Sequence, residues 1–287
     1  MKITYSELFQ SIQGEGPLIG VPQIWLRFAN CNLQCNGFGQ DDPTDISSYK
    51  LPYQEINLEN IKRVEDLPVF ETGCDSSYTW SKRFKHLMKQ ETPYEVAERM
   101  VKIWEEVPLN RRENYGITFT GGEPLLKNNA KGLIKIIEYI SVITDKNWFP
   151  FVTIETNGTQ PPLNLPEGFD QLCRVLYSIS PKLFSVSGES KEKAIDINNI
   201  EELLGIGAFS YLKFVVTDTQ ECQDELEEIV SELDVLHNKF IYLMPVGATR
   251  EQQEEDHVFQ IAEYCVDNNY NFCPRVHCQV YGNVIGT

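Results

Sequence analysis

The sequence predicts an α/β fold, with a largely parallel sheet curled into a partial or complete barrel. Short apolar runs rich in β-formers recur along the chain, and helical text separates most of them, which is the pattern of repeated βαβ units. Glycines, a glutamate and a serine gather at the ends of those runs, where barrels of this kind collect their chemistry.

The expected strands are "QIWLRFA" (23–29), "GITFT" (116–120), "PFVTIET" (150–156), "RVLYSIS" (174–180), "YLKFVV" (211–216), "KFIYLM" (239–244) and "PRVHCQVY" (274–281). The clearest helix is Thr92–Val107. Thr92 is its N-cap, Pro93 fits the first turn and Glu95 completes a capping box. Val96, Met100, Ile103, Trp104 and Val107 then form one apolar stripe that reads as core. Further helices are expected over Ala130–Ile143, Thr219–Leu236 and Arg250–Asn268. Residues 36–73, rich in Asp, Pro, Ser and Tyr without a sustained apolar period, read as an insertion within a single domain spanning 1–287. The chain shows no internal repeat.

A net charge of −17 argues against general binding to nucleic-acid backbones, which requires a basic surface. The N-terminal "MKITYSELFQ" lacks the pattern of a signal peptide, and no apolar run reaches the ~20 residues of a membrane span. The expected location is the cytoplasm, where the eight cysteines stay reduced. Cys173, Cys222 and Cys265 stand singly within helix-like or strand-like text and read as packing residues.

Cys31 and Cys35 form a CxxxC pair in "CNLQCNGFGQ". In a CxxxCxxC iron–sulfur motif the third cysteine would fall at position 38, which is Phe38. Beyond the insertion stands "GCDSSYTW", with Cys74 followed by Asp75 and Ser76. Closing the loop over residues 36–73 instead of a two-residue one costs roughly 2–3 kcal/mol of chain entropy, because the penalty grows logarithmically. Three thiolate–iron bonds can offset that.

These pieces occur in order with "SIQGEGPLIGVPQIWLRFANC", "TFTGGEPLL", "ETNGT", "SISPK", "LKFVV" and "PRVHCQVYGN". Together they resemble the radical S-adenosylmethionine superfamily, and within it the 7-carboxy-7-deazaguanine synthase family, over most of the chain. Members carry CDS or CDT at the third cysteine, and some insert residues among the ligands. The resemblance implies a partial (β/α)6-type barrel with an insertion between the second and third cluster cysteines. It implies a [4Fe–4S] cluster on Cys31, Cys35 and Cys74, with one iron left open to S-adenosylmethionine. The cofactor generates the radical, so no protein side chain is expected to act as catalyst.

By the same resemblance, Gly121, Gly122, Glu123, Asn157, Ser180 and Lys182 meet S-adenosylmethionine. Ser76 supplies a hydroxyl to Mg2+, which Asp75 orients. Gln13, Gly14, Glu15, Arg27, His277 and Gln279 hold the substrate, 6-carboxy-5,6,7,8-tetrahydropterin. Arg27 suits the carboxylate because a guanidinium offers a planar two-bond fork. Other roles stay open for these residues: a strand-to-helix turn at Gly121–Glu123, a solvated Lys182, a solvent-facing Arg27, an N-terminal turn at Gln13–Glu15 and a core His277. The family's product is 7-carboxy-7-deazaguanine, formed with loss of ammonia. Its members use a flavodoxin-like electron donor and form homodimers. Two alternatives come from other classes. One is another radical enzyme, such as a glycyl-radical activase. The other is a non-enzymatic zinc-binding protein using Cys31, Cys35, Cys273, His277 and Cys278.

Overall fold

The computed structural model describes residues 1–112, 115–206, 209–234 and 240–286. Residues 235–236 of the helix expected over Thr219–Leu236, and residue 239 of the following strand, lie outside the described residues. The strands are β1 (Ile3–Ile12), β2 (Pro22–Phe28), β3 (Lys89–Glu91), β4 (Gly116–Gly121), β5 (Phe151–Thr156), β6 (Arg174–Ile179), β7 (Tyr211–Val216), β8 (Ile241–Pro245) and β9 (Asn271–Phe272). They form one sheet in the order β3-β1-β2-β4-β5-β6-β7-β8-β9. Pairing is antiparallel from β3 through β1 to β2, and parallel from β2 to β9. Among the described residues no pairing joins β9 back to β3, so the sheet is an open, partial barrel.

The helices are α1 (Pro52–Glu55), α2 (Pro93–Glu106), α3 (Lys127–Ile143), α4 (Phe184–Ser187), α5 (Lys191–Ala194), α6 (Ile197–Ile206), α7 (Gln220–Glu232), α8 (Asp256–Asn268) and α9 (Val276–Tyr281). At α2 the Thr92 side chain accepts from Glu95 N (3.3 Å) while Glu95 Oε2 accepts from Thr92 N (2.7 Å). Val96, Met100 and Trp104 are buried against the sheet, and the Trp104 ring stacks on Trp148 at 5.0 Å. Helix α8 begins six residues later than expected, behind a 3-10 turn at Gln252–Glu254. Among the described residues no helix is long and apolar enough to cross a membrane.

One expected strand is wrong. Most of 274–281 is helix α9, and the strand that pairs with β8 is the two-residue β9 before it. The β-formers in "VHCQVY" suggested a strand, but Cys278 is buried while Gln279, Val280 and Tyr281 are exposed, which is not a period-two pattern. Packing against Gly14 overrides the propensity, with Val276 N donating to the Gly14 carbonyl.

Strand alternation decides what the barrel encloses. Ile24, Leu26 and Phe28 of β2, Ile117 and Phe119 of β4, Val152 and Ile154 of β5, and Leu212, Phe214 and Val216 of β7 join the apolar layer under the helices. The intervening Trp25, Arg27, Thr120, Glu155, Lys213 and Val215 face the interior cavity. A β-bulge between Tyr5 and Glu7 adjusts β1 to this scheme. In an unbroken strand those two residues share a face; here Tyr5 turns to Glu91 and Arg99 while Glu7 sits opposite Arg27.

The segment after Cys35 builds a second apolar cluster from Tyr53, Val64, Leu67, Phe70, Tyr78, Phe84 and Leu87, with Trp80 and Ile285 against it. It leaves the barrel at Phe38 and returns at Gly73, whose N–H donates to the Phe38 carbonyl at 2.7 Å. Thr92→Ala is expected to lower stability by about 1 kcal/mol through loss of the cap. Denaturant unfolding measures this, and an unchanged midpoint would show that the cap contributes nothing.

Candidate active site

The C-terminal ends of the parallel strands surround a cavity of about 250 Å³. Cys31, Cys35 and Cys74 all line it, two from the loop after β2 and the third from the end of the insertion. Burial pushes the Cys31 thiol up to about 12 and raises Cys35 and Cys74 as well. Such thiols bind as thiolates only when a metal displaces the proton, which iron does. Among the described residues, no three His, Cys, Asp or Glu side chains converge tightly enough for a single metal ion. Three thiols lining one cavity match the ligand count of a [4Fe–4S] cluster that leaves one iron open. Phe38 packs against the group of Leu33, Cys35 and Ala194, with Lys182 Nζ 5.8 Å from its ring centroid. It lines the same cavity as the three cysteines.

The glycines of the β4 end serve backbone packing first. Gly122 N donates to Phe28 O and Glu123 N to Asn30 O, which ties this turn to the chain entering Cys31. A Cβ on Gly122 would collide with the Asn30 carbonyl, so only glycine fits. Gly121 and Gly122 also line the cavity. Glu123 is not among the residues that line it. Its carboxylate is fully buried and accepts from Leu125 N, Thr156 Oγ1 and Asn157 N at 2.8–2.9 Å. Burial raises its pKa against the pull of those donors. Asn157, Ser180 and Lys182 do reach the cavity. Asn157 Nδ2 donates to Asn32 Oδ1 (3.1 Å), and Lys182 Nζ donates to Ser180 Oγ (2.8 Å).

A network of buried charges lines the same cavity. Gln13 Oε1 accepts from Glu15 N, and Gln13 Nε2 donates to Glu155 Oε1. Glu15 pairs with Lys213 and, at 3.2 Å, with Arg275, which also reaches Asp75 at 2.8 Å. Burial alone would raise the Glu15 carboxyl, but Lys213, Arg275 and His277 outweigh it and hold it well below the usual carboxylate range. Asp75 is lowered in the same way, with Arg275 overcoming burial. Ser76 lines the cavity with its Oγ 3.5 Å from Cys74 Sγ.

Arg27 reaches the cavity with Glu7 behind it, Glu7 Oε2 lying 2.9 Å from Nε. The contact is ionic, since the N–H does not point along it. Tyr78 donates to the same carboxylate at 2.7 Å. Burial opposes the charge on Arg27, but Tyr78, Glu7, Asp75 and Glu155 keep it fully protonated.

His277 lines the cavity from α9, and a Cβ on Gly14 would strike its imidazole. Gln279, one residue beyond Cys278 on the same helix, is exposed and off the cavity wall. The sequence placed it on a strand beside His277, where alternation would have aligned the two; helical rotation separates them. The zinc alternative loses its ligand set for a related reason. Cys273 and Cys278 are fully buried, and Cys273 Sγ accepts from Gly16 N at 3.1 Å.

Residues 12–159, which include all three cavity cysteines, match a family described as a 4Fe-4S single cluster domain. The chain belongs to that family. Curated relatives of this 4Fe-4S single cluster protein carry the name 7-carboxy-7-deazaguanine synthase. The one from Rhodopirellula baltica is 26% identical, covering 98% of this chain and 88% of its own. That from Hyperthermus butylicus is 27% identical, covering 96% and 91%. That from Methanopyrus kandleri is 29% identical, covering 94% and 90%. The fold is shared with the crystal structure of QueE from Escherichia coli, with a TM-score of 0.57 at 19% identity, covering 96% of this chain and 95% of that one.

Sequence reasoning missed Lys213, Arg275, Glu155 and Glu7. Lys213 had a signal: a lysine inside "YLKFVV" is as conspicuous as the arginine inside "WLRFA". Arg275 was hidden by reading its segment as a strand. Glu7 depended on the bulge.

Burial, with Arg275 next, lowers the His277 pKa to about 4, so its imidazole is neutral at pH 7. The unfolded chain therefore takes up this proton first as pH falls below about 6.5, and stability drops from there towards pH 4. The loss is about 3 kcal/mol by pH 4. In His277→Gln that part of the acid sensitivity should vanish; equal pH dependence in both proteins would show that His277 does not titrate this way.

Proposed function

We propose that this chain is a radical S-adenosylmethionine lyase that converts 6-carboxy-5,6,7,8-tetrahydropterin to 7-carboxy-7-deazaguanine with loss of ammonia, in 7-deazapurine biosynthesis. The observation that carries this reading is the meeting of Cys31, Cys35 and Cys74 in one cavity that Gln13, Glu15 and Arg27 also line. The names of the curated relatives support it. When bound, the cluster and S-adenosylmethionine supply a 5′-deoxyadenosyl radical, the one step that no side chain here could perform.

The residues divide the remaining work. Cys31, Cys35 and Cys74 hold the cluster. The Gly121–Gly122 backbone, Asn157, Ser180 and Lys182 border the space beside it and suit S-adenosylmethionine. Arg27 meets the substrate carboxylate, with Glu7 and Tyr78 fixing its orientation. Gln13, Gly14, Glu15 and His277 face the pterin's polar edge, where donors and acceptors in fixed positions select it. Lys213 and Arg275 keep Glu15 ionised, so it acts as an acceptor. Ser76, with Asp75 held by Arg275, is the Mg2+ end of the site. A flavodoxin-like protein supplies the electron, and the chain works as a homodimer.

Anaerobically reconstituted protein given S-adenosylmethionine, reductant and magnesium should convert the pterin to the deazaguanine, read by mass spectrometry. Formation of 5′-deoxyadenosine with the pterin untouched would leave only the superfamily chemistry standing. Cys31→Ala, Cys35→Ala and Cys74→Ala should each abolish the cluster's paramagnetic signal and turnover, whereas Cys273→Ala and Cys278→Ala should retain most of both. A Cys74→Ala protein with a full signal would overturn the ligand set, and Phe38→Cys should not rescue it. Arg27→Ala should weaken substrate binding by about 2–3 kcal/mol with the cluster intact, and Arg27→Lys should restore only part. Unchanged affinity would remove Arg27 from the substrate's contacts.

A further inference from the structure

The connection from β6 to α6 is used to seat the loop that carries the first two cysteines. Gln34 N and Cys35 N both donate to one oxygen of Glu189, Oε1, at 2.5 and 2.9 Å. The other oxygen, Oε2, accepts from Lys193 Nζ at 2.5 Å. Two residues on, Gly37 N donates to the Ser187 carbonyl at 2.9 Å. A Cβ on Gly37 would run into that same backbone, so the two segments are in direct contact. Ala194, at the end of α5, is fully buried against Leu33 and Cys35.

Glu189 is not serving its own helix in this arrangement. The N-cap of α5 is Ser190, and the carboxylate instead reaches a loop more than 150 residues earlier in the chain. The loop needs such a support. Cys35 holds a left-handed φ of 52°, a conformation that a non-glycine residue keeps only when its surroundings impose it. A buried carboxylate next to a thiolate ligand is also electrostatically unfavourable, so its presence calls for a compensating use. Lys193 partly neutralises it, with Glu189 almost enclosed at 7% exposure and Lys193 half-exposed.

We propose that Glu189, braced by Lys193, is a positioning residue that fixes Cys35 in its ligating conformation before the cluster arrives and sets the charge beside the cluster afterwards. This rests on the reading that Cys35 is a cluster ligand. The two backbone bonds hold the peptide on the N-terminal side of Cys35, and the Gly37–Ser187 bond holds the C-terminal side. The thiol is thereby presented to the cavity from a loop clamped at both flanks, and less ordering remains to be done on metal binding.

The test uses the full-length parent, Glu189→Ala and Glu189→Gln. In the apo-protein, Glu189→Ala should strip hydrogen-exchange protection from the Gln34 and Cys35 amides and leave the β4 and β5 amides as in the parent. After reconstitution it should lose its cluster to a chelator roughly tenfold faster, the scale seen when a partner that orients a metal ligand is removed. Glu189→Gln keeps an acceptor oxygen for both amides, so protection should largely remain. It removes the negative charge, so the cluster's reduction potential should still move positive. That shift is not expected of a residue that only stabilises the fold. Unchanged protection at both amides in Glu189→Ala would overturn the positioning role, and unchanged potentials in both variants would overturn the electrostatic one. Should Glu189→Ala fail to fold, Glu189→Gln carries the potential measurement, and Lys193→Met tests the brace through chelator resistance. A parent that takes up no cluster overturns the ligand reading itself, whereas a parent and variants with equally resistant clusters overturn only the role of Glu189.

Discussion

The hydrogen bond from Gly73 N–H to the Phe38 carbonyl is the constraint on which the site depends. It pinches the base of a long excursion, so Cys74 emerges beside the loop it left. Without the pinch, the third cysteine would hang from a tether with many accessible positions, and ordering it would fall to the metal alone. The pinch is itself maintained from above. The aromatic cluster around Tyr53, Phe70 and Phe84 gives the excursion a core of its own, so its internal order is settled by burial rather than by iron. Gly73 meets the geometric demand with a φ of 76°, which a side chain would resist.

The second organising constraint is strand parity. Strands β2, β4, β5 and β7 turn one set of alternate residues to the helices and the other, which carries Arg27, Thr120, Glu155 and Lys213, to the interior, so a single sheet builds both the core and the chemical cavity. Charges that face inward have no bulk water to stabilise them and must find one another. Hence the chain Lys213–Glu15–Arg275–Asp75, and the Glu7–Arg27 pair that forms because a bulge turns Glu7 inward. The near balance of signs is what allows so many ionised groups in so small a space. A lone member would be costly to bury, whereas the set is self-compensating.

Much of this was legible in the sequence, and the part that was not has physical reasons. Strands such as "GITFT" and "YLKFVV" could be read because local propensity and burial agree there. So could α2, whose cap and stripe both lie within a few residues of one another. Helix α9 could not, since its conformation answers to Gly14, more than 260 residues away in sequence. Strand β1 went unread because its alternation is broken by the bulge. At the site, Cys31, Cys35, Cys74 and Arg27 announce themselves by residue type in an unusual context. Glu123 shows what a motif leaves unsaid: the fold gives its carboxylate three protein donors. A carboxylate's partner is set by tertiary proximity, which spacing along the chain does not encode.

The fit of Gly14 against His277, with Arg275 between Glu15 and Asp75, has a consequence for the order of synthesis. The cavity cysteines and the first strands leave the ribosome well before residues 275–286, which line the same cavity in part. Until these arrive, Glu15 and Asp75 lack Arg275, their shared cation, and stay solvated rather than closing around a cavity. A nascent chain that stops short of Arg275 therefore carries both carboxylates without that cation. The same ion pairs tie enclosure of the cavity to a residue 200 positions beyond Asp75.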